Sequence, residues 1–325
     1  MTIEKLLQIT GGVCINTTSK EELNSATVQL KKVSEDDLFI AQNKDEIELA
    51  IKQGASAILF EGELSIDADV ALIKVDSIQL SAMKIISYIV KDDKDLHFYL
   101  LEPHVISYLK MLKLKQNDIE YLPDSWQKSF ELILNSDRGI FVCDDKTLMK
   151  QIKPKIKIFD EMVYGYNIED TLFRSTFRVD KFVYQHKKMA PFHLDYLLKA
   201  VAIFKKHKLP YSIDRIDYTK HFIPIFIDGE THIQKAEKND HVVIVTDNVE
   251  DISEGREYAK NIKIIMSKSI VFTPPKIKID SYTNPTIFRN PTQLTTVVKT
   301  TSFNYGFVYS KDREDLKALK EYFRV

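Results

Sequence analysis

Lys32-Val33-Ser34-Glu35-Asp36-Asp37-Leu38-Phe39-Ile40-Ala41 passes from a basic residue through an acidic turn into a short apolar strand. Nine residues further on, Ala50-Ile51-Lys52-Gln53-Gly54-Ala55-Ser56-Ala57-Ile58-Leu59-Phe60 closes a helix and enters a second apolar strand. Ile47, Ala50 and Ile51 fall on one helical face, and Gly54 stands where a helix C-terminus takes a glycine. Ala71–Val75 reads as a third strand and Ser77–Val90 as a second helix. Strands alternating with helices specify an α/β domain built on a largely parallel or mixed sheet.

The same rhythm extends outward. Residues 3–9 form an apolar-periodic helix stopped by Gly11-Gly12. The charged stretch 91–95 marks a first domain boundary. Leu96–Leu101 is a strand, and 104–114 a helix with Val105, Tyr108, Leu109 and Leu112 inward. Ser125–Leu134 is a helix, Gly139–Cys143 a strand, Lys146–Ile152 a helix and Lys155–Phe159 a strand. Alternation in Phe173–Tyr184 predicts antiparallel strands. Phe192–His207 is an amphipathic helix that ends at Leu209-Pro210. Phe222–Ile227 and His241–Thr246 are apolar strands; 249–260 reads as helix, 262–266 as strand and Lys311–Tyr322 as a terminal helix. Pro274-Pro275 and Asn284–Pro291 read as loops. The expected division is 1–90, 91–224 and 225–325.

Bulk properties narrow the classes. A chain of 325 residues with 44% hydrophobic and 29% charged content buries real cores and is not disordered. A formal net charge of −1 gives no global field for nucleic acid or an anionic membrane. Two cysteines, Cys14 and Cys143, are too few for a disulfide framework or a cysteine metal site and fit a reducing cytoplasm. No apolar run approaches the roughly 20 residues needed to span a bilayer, and the start lacks the order of a signal peptide.

Residues 28–90 resemble the N-terminal domain of the Mur-type amide ligases, the UDP-MurNAc-peptide ligases, and especially the D-Ala-D-Ala-adding branch. That family carries Lys-Val-x-x-Gly-Asp-Leu-Phe-x-Ala, a helix, then Gly-Ala-x-Ala and an apolar strand; the two stretches quoted above keep that order and spacing. The resemblance implies an α/β fold of three parts: a Mur-ligase-like N-terminal α/β domain, a degenerate central α/β domain and a small C-terminal α/β domain. Further along, Met189-Ala190-Pro191-Phe192-His193 is similar to the family's Leu-Pro-Gly-x-His-Asn segment, with His193 matching and Leu194 and Leu197 replacing asparagines that face the nucleotide.

The departures concern chemistry. The family's Asp-Ser-Arg, which helps hold the uridine nucleotide, is Gln29-Leu30-Lys31 here, and the turn glycine is Asp36. The ATP loop is expected in the strand-to-helix turn after Leu96–Leu101. A phosphate cradle needs glycines, so that backbone N–H groups approach, and a lysine for the β/γ-phosphates. Of the nine glycines none is followed by lysine, and the turn reads Glu102-Pro103-His104. Glu102 places negative charge there, Pro103 removes an N–H donor, and Lys110 lies almost two helical turns further on.

Other groupings have plain structural readings. Asp92, Asp93 and Asp95 form a solvated linker rather than a cation site, and His97 and His104 fall on different elements, against metal ligation. His186 and His193 flank Lys187-Lys188, which either contact a phosphate or carboxylate or face solvent. Lys205-Lys206-His207-Lys208 complements a helix C-terminus. Ser125 before Trp126 is an N-cap, not a nucleophile in a Gly-x-Ser-x-Gly elbow. Asp247 and Asp251, with Asn248, lie after an apolar strand, either as a turn and cap or at the rim of a ligand crevice. Asp144 and Asp145 would raise the Cys143 pKa, against a reactive thiolate.

The resemblance therefore implies a cytoplasmic protein of peptidoglycan precursor metabolism, non-catalytic and without a cofactor, acting as a binding or partner subunit. Its implied partners are a cell-wall ligase or a UDP-sugar-peptide ligand, with no nucleic acid and no membrane span. The candidate ligand-binding residues are Lys31, Asp37, Phe39, Lys187, His193 and Asp247; none is assigned a catalytic or metal role. Two alternatives stay open. One is an amide ligase with an unorthodox nucleotide site, drawing on Lys31, Lys110, Lys187 and Lys188. The other is an α/β protein that binds an unrelated small ligand at its strand ends.

Overall fold

The structure, a computed structural model, describes residues 1–16, 18–91, 95–114, 119–227, 241–261, 268–279 and 284–323. The chain forms two compact units, Met1–Leu101 with Gln116–Phe159, and Glu102–Lys115 with Asp160–Val325. The expected strand at 262–266 and the acidic residues Asp92 and Asp93 lie outside the described residues.

In the first unit, α1 (Ile3–Thr10) starts at Thr2, whose hydroxyl accepts the Lys5 N–H, and stops at Gly11 in the left-handed region. There follow β1 (Val13–Cys14), β2 (Ala26–Thr27), β3 (Leu38–Ile40), α2 (Ile47–Lys52), β4 (Ala57–Phe60), β5 (Ala71–Lys74) and α3 (Ile78–Ile89). The sheet order is β1-β5-β4-β3-β2, parallel except for β1. Its strands are continuous apolar runs because both faces are covered. Leu38, Ile40, Ala57, Leu59 and Ile73 enter one core, and Phe39, Ile58, Phe60 and Leu72 the other.

Next come β6 (Leu96–Leu100), then α4 (Pro103–Leu112), which belongs to the second unit, and β7 (Ile119–Tyr121), α5 (Trp126–Leu134), β8 (Gly139–Cys143) and α6 (Lys146–Ile152). Strands β6, β8 and β7 form a parallel sheet in that order. Leu96, Leu100, Phe130 and Phe141 share a core with α3 and the first sheet. Ser125 caps α5 and Asp145 caps α6, each by accepting backbone N–H groups. The segment 155–159 is not a strand. It makes one isolated bridge, Leu100 to Ile158, and Ile158 is exposed, so the alternation there buries no continuous face.

The second unit contains α4, a three-stranded antiparallel sheet of β9 (Gly165–Asp170), β10 (Arg174–Val179) and β11 (Phe182–Lys188), and α7 (Leu194–Lys206). Its C-terminal part comprises β12 (Phe222–Phe226), β13 (Val242–Thr246), α8 (Val249–Asn261), β14 (Ser269–Thr273), β15 (Thr286–Ile287), α9 (Pro291–Thr300), β16 (Tyr305–Tyr309) and α10 (Arg313–Tyr322). The order is β12-β13-β16-β14-β15, with β12 antiparallel and the others parallel. Pro224 is tolerated in β12 because that strand is at the edge. The buried faces of β13, β14 and β16 give Val242, Ile244, Val271 and Phe307 to one core and Val243, Val245, Phe272 and Val308 to the other. Among the described residues no helix is long and apolar enough to cross a membrane.

Candidate functional site

A buried histidine–aspartate cluster lies within the second unit. His104 occupies the first turn of α4, His193 the 3-10 turn that leads into α7, and Asp251 the first turn of α8. All three are 1% exposed or less. Asp251 Oδ2 is 3.0 Å from His104 Nε2, and Oδ1 is 3.1 Å from His193 Nε2. The Thr246 hydroxyl donates to Asp251 Oδ2 at 3.0 Å. His104 Nδ1 is 3.1 Å from Thr219 Oγ1, and His193 Nδ1 is 3.4 Å from the Tyr108 hydroxyl. The His104 and His193 rings lie 4.3 Å apart between centroids, and Tyr196 stacks on His104 at 4.9 Å.

Local chemistry explains these positions. Asn248 Oδ1 accepts the Glu250 N–H, which fixes the start of α8 and sets Asp251 in its first turn, where the helix dipole favours an anion. Burial opposes the charge on Asp251, but the adjacent imidazoles hold its carboxyl well below the usual carboxylate range. Burial pushes the His193 pKa down and outweighs the pull of Asp251. The cluster is thus a carboxylate set against two imidazoles, with burial pushing His193 toward its neutral form. Burial, with Asp251 next, also pushes the Glu254 carboxyl up to about 6. The donor types are those of a first-row metal site, with ligand-type atoms of His104, His193 and Asp251 all within 4.8 Å of one another.

The turn between β6 and α4 carries a proline and an ion-paired carboxylate. Glu102 has extended backbone, Pro103 takes the first helical position, and Lys199 Nζ donates to Glu102 Oε1 at 2.7 Å. A separate groove of about 700 Å³ opens at the carboxyl ends of β13 and β16. Asp247 and His221 lie in it, paired at 2.8 Å, with Lys220, Lys311 and Arg313 around them.

No protein-family model matches the chain, and no curated protein matches it. Among solved structures, it is similar to MurF from Acinetobacter baumannii, with a TM-score of 0.54 at 11% identity over 100% of this chain and 99% of that one. It is also similar to the MurF ligase from Thermotoga maritima in complex with ADP, with a TM-score of 0.51 at 10% identity over 93% of this chain and 98% of that one. The chain has a Mur-ligase fold.

On this Mur-ligase fold the residues singled out from sequence take different places. In the first unit, Lys31 is exposed, Phe39 is fully enclosed in the core, and the Asp37 carboxylate accepts the Ser34 N–H at 2.9 Å, holding the turn before β3. In the second unit, Lys187 pairs with Asp214 at 3.0 Å and Lys188 with Asp217 at 3.2 Å. His193 is buried with Asp251, and Asp247 lies in the groove. His97 is exposed on β6, in the first unit. The partnership of His104 with His193 and Asp251 was not legible beforehand, because the three stand on separate elements. The signal available was that each sits at an element start next to an apolar segment.

Proposed function

We propose that this chain is a non-catalytic relative of the Mur ligases that works in cytoplasmic peptidoglycan precursor metabolism without binding ATP, as a binding or partner subunit for a UDP-sugar-peptide or a cell-wall ligase. One observation carries the reading: the turn after β6, where a phosphate cradle would lie, holds Glu102 paired with Lys199 and His104 packed on Asp251. A triphosphate placed there would meet a carboxylate, a proline without an N–H and a salt bridge already formed. Lys187 and Lys188, which an unorthodox ligase would need as replacement cations, are engaged by Asp214 and Asp217. Calorimetric titration with ATP and magnesium tests the reading. No measurable heat of binding is expected; a micromolar dissociation constant overturns it.

A second reading has its own observation. The groove at the ends of β13 and β16 has the placement of a small-ligand crevice in an open α/β sheet, and its Lys220, Lys311 and Arg313 favour an anionic ligand. Under that reading Asp247→Ala, which releases His221 from its partner, changes the affinity for the ligand and leaves the fold intact.

A further inference from the structure

We propose that His104, His193 and Asp251 form a site for one first-row transition dication of the zinc class, held by the two Nε2 atoms and the Asp251 carboxylate. Two imidazoles and one carboxylate are the donor set of many three-ligand zinc sites, with a fourth position left for water. Bonds of about 2.0 Å in a tetrahedron place neighbouring ligand atoms about 3.3 Å apart. Each Nε2 lies near that spacing from its own carboxylate oxygen, 3.0 Å from Oδ2 for His104 and 3.1 Å from Oδ1 for His193, and one ligand atom from each residue lies within 4.8 Å of the others.

The surroundings fix the nitrogen that would bind. In the metal-bound form Nδ1–H of His104 would donate to Thr219 Oγ1 and Nδ1–H of His193 to the Tyr108 hydroxyl, which leaves both Nε2 lone pairs for the ion. Such outer partners orient ligating histidines. The Thr246 hydroxyl does the same for the carboxylate.

A purely hydrogen-bonded triad accounts for the cluster less well. His104 Nε2 approaches Asp251 Oδ2 at 3.0 Å but is not aligned to donate to it, so this buried nitrogen has no hydrogen-bond partner. His104 is 1% exposed, and its Nε2 points into the cluster, where an ion gives it a bond. Imidazole donors suit zinc, cobalt, nickel or iron rather than magnesium, which prefers oxygen. The ion would tie the starts of α4, α7 and α8 together within the second unit. The proposal stands whether or not ATP binds.

The full chain, dialysed against a chelator and titrated with Zn²⁺ in competition with a chromophoric chelator, is expected to take up one equivalent with sub-micromolar affinity. Co²⁺ is expected to give visible d–d bands, and the cobalt form to show paramagnetically shifted exchangeable imidazole protons from two histidines. Asp251→Asn and His193→Gln, checked for folding by circular dichroism, lose the high-affinity site; Thr219→Val weakens it about tenfold. Wild-type protein that binds no zinc at micromolar concentration overturns the proposal, whatever the variants do. Unchanged zinc affinity in folded Asp251→Asn or His193→Gln also overturns it.

Discussion

Glu131 in α5 gathers more hydrogen bonds than any neighbour in its sequence announces. Its Oε1 accepts the Thr27 hydroxyl at 2.6 Å and the Val28 N–H at 2.8 Å, and its Oε2 accepts Lys32 Nζ at 2.9 Å. Burial works against its charge, but these donors together hold its carboxyl below the usual range. A depressed folded-state pKa gives stability that is present above the unfolded-state value and is lost as pH falls through the folded one. Glu131→Gln is therefore expected to cost about 2 kcal/mol at neutral pH, the scale of bonds to a charged group, and to flatten the acid limb of stability against pH. Urea unfolding between neutral pH and acid measures both; an unchanged acid limb contradicts the assignment. The Ser125 cap was legible because donor and acceptor are three residues apart. Glu131 and the His104–His193–Asp251 cluster were not, because their partners come from other elements. Cys143 was read as unreactive on account of Asp144 and Asp145; burial is the larger cause, and together they push its thiol up to about 11.

At the scale of elements, Gly255 sets how closely α8 lies on β16. A Cβ there would stand 2.7 Å from Phe307 Cε1, on a ring that is fully buried. Alanine gains up to about 1 kcal/mol of helix propensity, and overpacking costs about 1–3 kcal/mol. Gly255→Ala is thus expected to be a net loss of roughly 1 kcal/mol by denaturant titration; a gain would show that Phe307 yields freely. Gly54 behaves more simply. Its φ of 105° and the 3.1 Å from its ideal Cβ to Glu35 Cα make Gly54→Ala cost more than about 1 kcal/mol. Most helices and strands were legible because their apolar spacing is strict: β8 and α6 match expectation residue for residue. The elements not foreseen are β1, β2, β7 and β15, which are two or three residues long, β9, which has no buried residue, β14 and α9, which mix threonine with apolar residues, and β16, whose Gly306 interrupts its apolar run. Their pairing is fixed by neighbours in the sheet rather than by local pattern.

At the scale of the molecule, the α/β fold and its likeness to the Mur ligases were both legible. They rest on a long ordered series of strands and helices, while identity to the solved structures is only 10–11%. The route of 102–115 into the second unit was not legible, since strand β6 and helix α4 read as one continuous α/β step. If the chain serves a UDP-sugar-peptide, a thermal-shift titration with UDP-MurNAc-peptide at 100 times its dissociation constant shows stabilisation of about 2.7 kcal/mol; no shift at millimolar ligand removes that ligand from the account. The central claim is tested most directly by crystals grown with a nonhydrolysable adenine triphosphate and magnesium. The account predicts no nucleotide against residues 102–104, with the Glu102–Lys199 pair intact. A triphosphate seated on that turn, with Glu102 displaced, would contradict it.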